Sequence, residues 1–187
     1  IAAARKGDGA MLEVLVESFG AEGFLVVGAE EITAVLTTDK GVLGKIAPDE
    51  SAFADMKKAS ALIEAIGPFD VGQGAVIRDG FVVAVEAAEG TDAMLRRSAP
   101  IIARLQGEDL NAARERAGVL LKRPKPGQEL RVDLPTIGVQ TVELVREAGL
   151  AGIAIAAGRS LVLHHEATIE AANEAGIFIY AFEQSRS

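Results

Sequence analysis

Apolar and polar positions alternate between two rhythms along this chain. Met11, Leu12, Leu15, Val16 and Phe19 recur at helical spacing, with Asp8 placed to cap them and Gly20 and Gly23 to end the run. FLVVG at 24–28 is a short continuous apolar run and predicts a buried strand. Residues 33–48 show little periodicity and predict a loop. A second helix is expected after Pro48, capped by Asp49, with Phe53, Met56, Ile63 and Ile66 on its apolar side and Gly67-Pro68 as its stop. GQGAVI and FVVAVEA flank Arg78-Asp79-Gly80, a hairpin signature, because Asp-Gly suits a turn with positive φ at both central positions. Thr91 is placed to cap a helix through Met94 and Leu95, broken or kinked near Pro100.

The second half alternates more regularly. QGEDLNAARERA is polar and predicts exposure; VLLK at 119–122 predicts a short buried strand. A helix at 138–148 is expected to follow Pro135-Thr136. Strands at 152–156 and 161–164 surround Gly158, and a helix at 166–175 leads to IFIYAF at 177–182. Strands alternating with helices predict an α/β fold, and the hairpin makes its sheet mixed, flanked by helices. No repeat or low-complexity linker interrupts the pattern. The 33–48 loop is the expected boundary between an amino-terminal helix–strand arm, 1–32, and a main α/β body, 33–187.

Composition narrows the chemistry. The 187 residues are 49% hydrophobic, enough for a substantial core, and carry a net charge of −8. That charge argues against a general nucleic-acid binder, which concentrates cations to displace phosphate counterions. It leaves room for a phosphorylated small molecule in a local basic pocket. With no cysteine, disulfides, thiolate metal sites and cysteine nucleophiles are excluded. No apolar run approaches the roughly 20 residues of a membrane-spanning helix. The first residues lack the apolar core of a signal peptide. The chain opens on Ile1 rather than Met, as expected of a fragment or trimmed protein.

Two polar segments stand out. In EGTDAMLRR (89–97), Gly90 allows a tight turn and Thr91 marks a helix start, whose free N–H groups attract anions; Arg96 and Arg97 add positive charge. The same residues also fit a capped helix with solvated arginines. In KRPKPGQELRVDLPTIG (122–138), Lys122, Arg123, Lys125 and Arg131 lie on a backbone stiffened by Pro124, Pro126 and Pro135, a form suited to cradling phosphate. Asp133 is an acid within this basic stretch, just before a helix start expected at Thr136. Its carboxylate could bind Mg²⁺ or orient an attacking water; it could equally be paired to Arg131 or Lys122, or simply cap the turn. Gln73 sits between two glycines in DVGQG, which permit close approach of another group to its backbone, or a simple bend. His164-His165 is a poor metal pair, since neighbours on a strand point to opposite faces. No Walker A or GxGxxG motif is present.

DVGQGAVI (70–77), EGTDAMLRR (89–97), KRPKPGQELRVDLPTIG (122–138) and AGLAGI (148–153) together resemble the LpxI family of UDP-2,3-diacylglucosamine pyrophosphatases, specifically its carboxy-terminal domain. The resemblance implies a two-domain α/β protein with its ligand held between the domains. It implies hydrolysis of UDP-2,3-diacylglucosamine to UMP and 2,3-diacylglucosamine 1-phosphate (lipid X) by water attack on the α-phosphorus, a step of lipid A synthesis in Gram-negative bacteria. A divalent cation, Mg²⁺ or Mn²⁺, is implied as cofactor. Asp133 matches the acid of the family's R-x-D-x-P-T-x-G segment and is the expected catalytic and metal-holding residue. Thr91, Asp92, Lys122, Lys125 and Gln128 match polar positions around it; Gln73, Arg96, Arg131 and Thr136 complete the expected phosphate and substrate contacts. The expected partners are a lipid-linked sugar nucleotide, the inner-membrane surface in transient contact from the cytoplasm, and a second copy in a homodimer. The family's glycine-rich amino-terminal domain has no counterpart here, so a non-enzymatic phospholipid- or sugar-nucleotide-binding or dimerisation module is the alternative for this segment.

Overall fold

The computed structural model describes residues 8–32, 36–105 and 116–183. Its centre is a six-stranded mixed sheet in the order β1-β8-β6-β4-β2-β3. The strands are β1 (Gly41–Leu43), β2 (Gly74–Arg78), β3 (Phe81–Val85), β4 (Val119–Lys122), β6 (Gly152–Ala156) and β8 (Phe178–Phe182). β4, β6 and β8 run parallel, linked through α5 (Val139–Glu147) and α6 (His165–Ala175). β2 pairs antiparallel to β4, β3 to β2, and β1 to β8. This is the expected mixed α/β sheet.

Alternation along the strands builds two cores, one on each face. Val76, Leu120, Ile153, Ile155 and Ile179 point to one side, where they meet Met94, Leu95 and Ile102 of α4 (Gly90–Leu105) and Val142 and Val145 of α5. Ala75, Ile77, Val119, Leu121, Ala154 and Phe178 point to the other, against Ala52, Met56, Ala59 and Ile63 of α3 (Glu50–Ile66). Because both faces are covered, the central strands are buried along their length and apolar but for Arg78 and Lys122 at the ends of β2 and β4.

Local chemistry explains most boundaries. Asp49 caps α3, its Oδ1 accepting from Ala52 N at 2.7 Å. A 3-10 turn at Gly67–Phe69 then ends the helix. Met56 and Ile63 are buried as the periodicity predicts; Phe53 is half-exposed and stacks edge-on against Tyr180. The hairpin turns through Asp79 and Gly80, both at positive φ, and the buried carboxylate of Asp55 accepts from both of their N–H groups, at 3.0 and 2.8 Å.

Several expectations are corrected. FLVVG forms no strand: 24–28 is irregular, with Phe24 folded edge-on against Phe19 of α1 (Asp8–Ala21) and Leu25 exposed. A strand exists through its ladder, and among the described residues none pairs with this run. Along α1 itself only part of the apolar set is covered: Val16 is buried, while Met11, Leu15 and Phe19 are exposed. A four-residue turn, α2 (Ala29–Ile32), follows it. The expected loop at 33–48 contains β1, a three-residue edge strand too short for periodicity to reveal. α4 begins at Gly90, so Thr91 lies in its first turn rather than capping it, and the helix continues past Pro100 to Leu105. Thr136 starts no helix. It forms β5 (Thr136–Ile137), paired in parallel with β7 (Leu161–Val162) as a separate two-stranded sheet, and α5 follows from Val139. The side chain of Asp8, residues 33–35 and most of the polar stretch at 106–117 lie outside the described residues. Among those described, no helix is long and apolar enough to cross a membrane.

Candidate active site

The register of the sheet collects the polar segments at one edge. Gly74, which opens β2, pairs with Lys122, which ends β4; Ala75 pairs with Val85, which ends β3. The beginning of β2, the end of β3 and the carboxyl end of β4 therefore meet, at the edge where β6 and β8 also finish. Ligands of open α/β sheets bind in the crevice outside such strand ends.

Three of the predicted residues are joined directly there. The side-chain amide of Gln128 donates to Asp133 Oδ2 at 2.8 Å, to the Asp133 carbonyl at 2.8 Å and to Gln73 Oε1 at 3.0 Å. Its own carbonyl oxygen accepts from Lys125 N at 2.8 Å, which fixes the amide's orientation. The loop is tied to the hairpin by Arg123 N donating to Gln73 O at 3.0 Å. Asp133 is thus held from below by a neutral amide, with no guanidinium or ammonium hydrogen-bonded to it among the described residues.

Lys122 lies beside this group and is 5% exposed. Its Nζ donates to Thr136 O at 3.1 Å, and Thr136 Oγ1 donates to Leu134 O. Burial pulls the lysine's pKa down, while Glu86, Asp133 and Asp92 act in the opposite direction. Asp92, in the first turn of α4, accepts from Gln140 Nε2 of α5 at 2.7 Å and faces Arg96 at 3.9 Å. The helix starts of α4 and α5 are thereby brought together over the same strand ends.

The other cations of the loop have acid partners. Arg123 is buried and paired with Glu64, with a second bond to Ser60 Oγ at 2.8 Å. Lys125 pairs with Asp70, whose carboxylate also accepts from Gly9 N of α1. Arg131 chelates Glu129 at 2.6 and 2.8 Å, and those hydrogen bonds hold the Glu129 carboxyl down at about 2. Arg97 pairs with Glu89. Within the loop, Arg123, Lys125 and Arg131 are thus each paired with an acid, while Lys122 bonds the Thr136 carbonyl.

Sequence reasoning missed Glu86. It follows β3 and is 7% exposed. Burial raises its pKa, with Lys122 and Thr91 opposing, and its Oε2 has no hydrogen-bond partner among the described residues. The trace of it in the sequence is the glycine pair around Gln73. A β-carbon at Gly72 would lie 2.6 Å from the Glu86 carbonyl carbon, and one at Gly74 would overlap Glu86 Oε2. The close approach those glycines foretold is that of Glu86, though nothing local named the residue.

His164 and His165 are not on a strand: β7 ends at Val162, His164 takes a left-handed turn at φ 47° and His165 opens α6. Among the described residues no three His, Asp or Glu side chains converge into a metal cage. The oxygens at the Asp133 cluster fit a different mode, in which a hard cation is held by one carboxylate and completed by substrate phosphate oxygens and water.

A model of the LpxI C-terminal domain matches residues 39–180. A curated relative from Caulobacter vibrioides (strain ATCC 19089 / CIP 103742 / CB 15), named UDP-2,3-diacylglucosamine pyrophosphatase LpxI, is 50% identical over 179 residues. That match covers 96% of this chain and 62% of the relative, so the chain spans less than two thirds of the relative's length. The family-model match extends over more than half of the chain, which therefore belongs to the LpxI C-terminal domain family.

Proposed function

We propose that this chain supplies the catalytic acid and its supports for metal-dependent hydrolysis of UDP-2,3-diacylglucosamine to UMP and lipid X, in lipid A biosynthesis. The observation that carries the reading is the Asp133–Gln128–Gln73 cluster beside buried Lys122, in a chain half identical to a named pyrophosphatase of that substrate. In the reaction, water oxygen bonds to the α-phosphorus. The bridging P–O bond breaks and its electron pair leaves with the sugar 1-phosphate.

Each group has a task in that step. Gln128 fixes the Asp133 carboxylate, which aligns the water and draws its proton. Lys122 places positive charge where the pyrophosphate oxygens gain negative charge. Thr91, Asp92 and Gln140 shape the wall formed by the two helix starts, with Arg96 at its rim. Asp133 is also the residue that would hold the divalent cation, Mg²⁺ or Mn²⁺, which when bound withdraws charge from a non-bridging phosphate oxygen. The same proposal includes a cytoplasmic protein in transient contact with the inner-membrane surface, where a diacylated substrate would be met, and a homodimer.

The test is UMP release from UDP-2,3-diacylglucosamine with Mg²⁺, by the protein as its gene encodes it and by its Asp133→Ala variant. Loss of turnover on the order of 10²–10⁴-fold is expected, the range for removing a positioned acid–base group. Near-normal UMP release by a folded Asp133→Ala protein would show the assignment to be wrong. Ligand-induced thermal stabilisation without any product from the unsubstituted protein would instead favour a binding module.

A further inference from the structure

Gln73 has no task in the scheme above, yet its side chain is oriented by a series of hydrogen bonds that begins in the backbone. In Lys125-Pro126-Gly127-Gln128, the Gln128 N–H donates to Lys125 O at 3.2 Å and Gly127 takes φ +76°. Proline in the second position and a left-handed glycine in the third suit a type II turn. Pro124 and Pro126 carry no N–H, so Lys125 supplies the one backbone donor of that trio. That donor goes to Gln128 Oε1, at 2.8 Å.

A backbone N–H can only donate, so the Gln128 oxygen must face it and the Gln128 NH₂ must face elsewhere. The NH₂ meets three acceptors: Asp133 Oδ2 and the Asp133 carbonyl, each at 2.8 Å, and Gln73 Oε1 at 3.0 Å. The same constraint then passes to Gln73. Turning its amide over would set one NH₂ against another, so its oxygen stays on Gln128 and its own NH₂ is turned away. The Gln73 backbone is held too, its carbonyl accepting from Arg123 N at 3.0 Å, beside the Gly74–Lys122 pair of the sheet. Gln73 is half-buried, and its Nε2 has no partner among the described residues and is not sealed from solvent. Donors of fixed polarity are therefore presented at the strand ends, one amide away from the Asp133 carboxylate.

Resting on the function proposed above, we infer that Gln73 is a substrate-binding residue: its amide donates to a non-bridging oxygen of the pyrophosphate beside Asp133. Such an oxygen is anionic and accepts only, so donor polarity is what it requires. A neutral donor also suits the place, because a cation there would pair with Asp133 and hold down its basicity. The oxygen is charged before the reaction as well as during it, so the contact contributes to binding more than to the chemical step.

Two substitutions in the protein as its gene encodes it separate this role from that of a mere support for Gln128. Gln73→Glu keeps an acceptor for Gln128 but replaces the outward NH₂ with a negative oxygen. Gln73→Met removes both. For UMP release, Gln73→Met is expected to raise KM roughly 10-fold, as loss of a hydrogen bond to a charged group does, with kcat little changed. Gln73→Glu should be the worse of the two, its kcat/KM lower on the order of 10²-fold because charge now opposes the phosphate. Parental kinetics in Gln73→Glu would show that only an acceptor for Gln128 is needed and would overturn the inference. So would a Gln73→Met loss confined to kcat, since the residue would then act through Asp133. If Gln73→Glu fails to fold, the KM of Gln73→Met decides: raised supports the inference and unchanged overturns it. Either overturning result leaves the function standing. Absence of turnover in the unsubstituted protein would overturn the function, and this inference with it.

Discussion

Two glycines one residue apart should respond in opposite ways to the same added methyl group. Gly72 has φ +41°, where an L side chain is strained by roughly 1–2 kcal/mol. Its β-carbon would also meet the backbone carbonyl of Glu86, with the carbonyl carbon at 2.6 Å. Backbone in a paired hairpin cannot swing aside, so an overpacking cost of about 1–3 kcal/mol adds to the strain. Gly72→Ala should therefore lose about 2–5 kcal/mol, summing those two ranges. For a domain of this size that lowers Tm by about 2–4 °C per kcal/mol. At Gly74 φ is not left-handed, and the obstacle is the far end of the Glu86 side chain, with Met94 Cε at an ordinary 3.4 Å. That carboxylate can rotate away, and the loss of glycine's unfolded-state freedom offsets part of the cost. Gly74→Ala should lose no more than about 1 kcal/mol of stability, well below the strained site. Urea unfolding of both variants tests the contrast. Equal destabilisation, or a Gly72→Ala protein within about 1 kcal/mol of the parent, would refute the reasoning, since the first erases the contrast and the second falls below the summed cost of about 2–5 kcal/mol.

Two further predictions concern stability. Asp55→Ala leaves the N–H groups of Asp79 and Gly80 without their buried acceptor and should cost about 2–4 kcal/mol in urea unfolding, as hydrogen bonds to a charged group do; a loss under about 0.5 kcal/mol would contradict the role given to Asp55. Arg131→Met should destabilise the protein in a pH-dependent way: Glu129 sits at about 2 when folded against an ordinary 4.5, so the Arg131–Glu129 contribution is complete above about 4.5 and fades as pH falls from there toward 2. The stability gap between parent and variant should narrow across that window, and a gap unchanged down to pH 3 would rule out the pairing as its source.

Much of the fold was legible because its determinants are local. The Asp79-Gly80 turn, the Asp49 cap and the apolar runs of β4, β6 and β8 each declare themselves within a few residues. What failed was non-local. FLVVG has the composition of a strand but no ladder among the described residues, and Gly41–Leu43 has a ladder but too little length to show a period. Thr136 lies after a proline and before a helix, so its pairing with Leu161 could be known only from the fold. The site divides the same way. Asp133, Gln128 and Gln73 were named by motif, and the structure joins them. That Arg123, Lys125 and Arg131 are each tied to an acid depends on Glu64, Asp70 and Glu129, two of them far away in sequence. Glu86 looks like the polar end of a strand until the register sets it against Gly74.

The sheet also records an order of assembly. β4, β6 and β8 follow one another in the chain and lie side by side, so each new strand closes a loop of only a few tens of residues onto the one before it. The β2–β3 hairpin is more local still. β1 is the exception: it joins Gly41 to Ala181, nearly the whole described chain apart, through three residues. Closing so long a loop for so short a ladder gains little until the rest is in place. β1 is then the last rung laid and the first lifted. Local opening of the domain is expected to begin at that margin, ahead of the opposite side of the sheet, near which Asp133 is mounted.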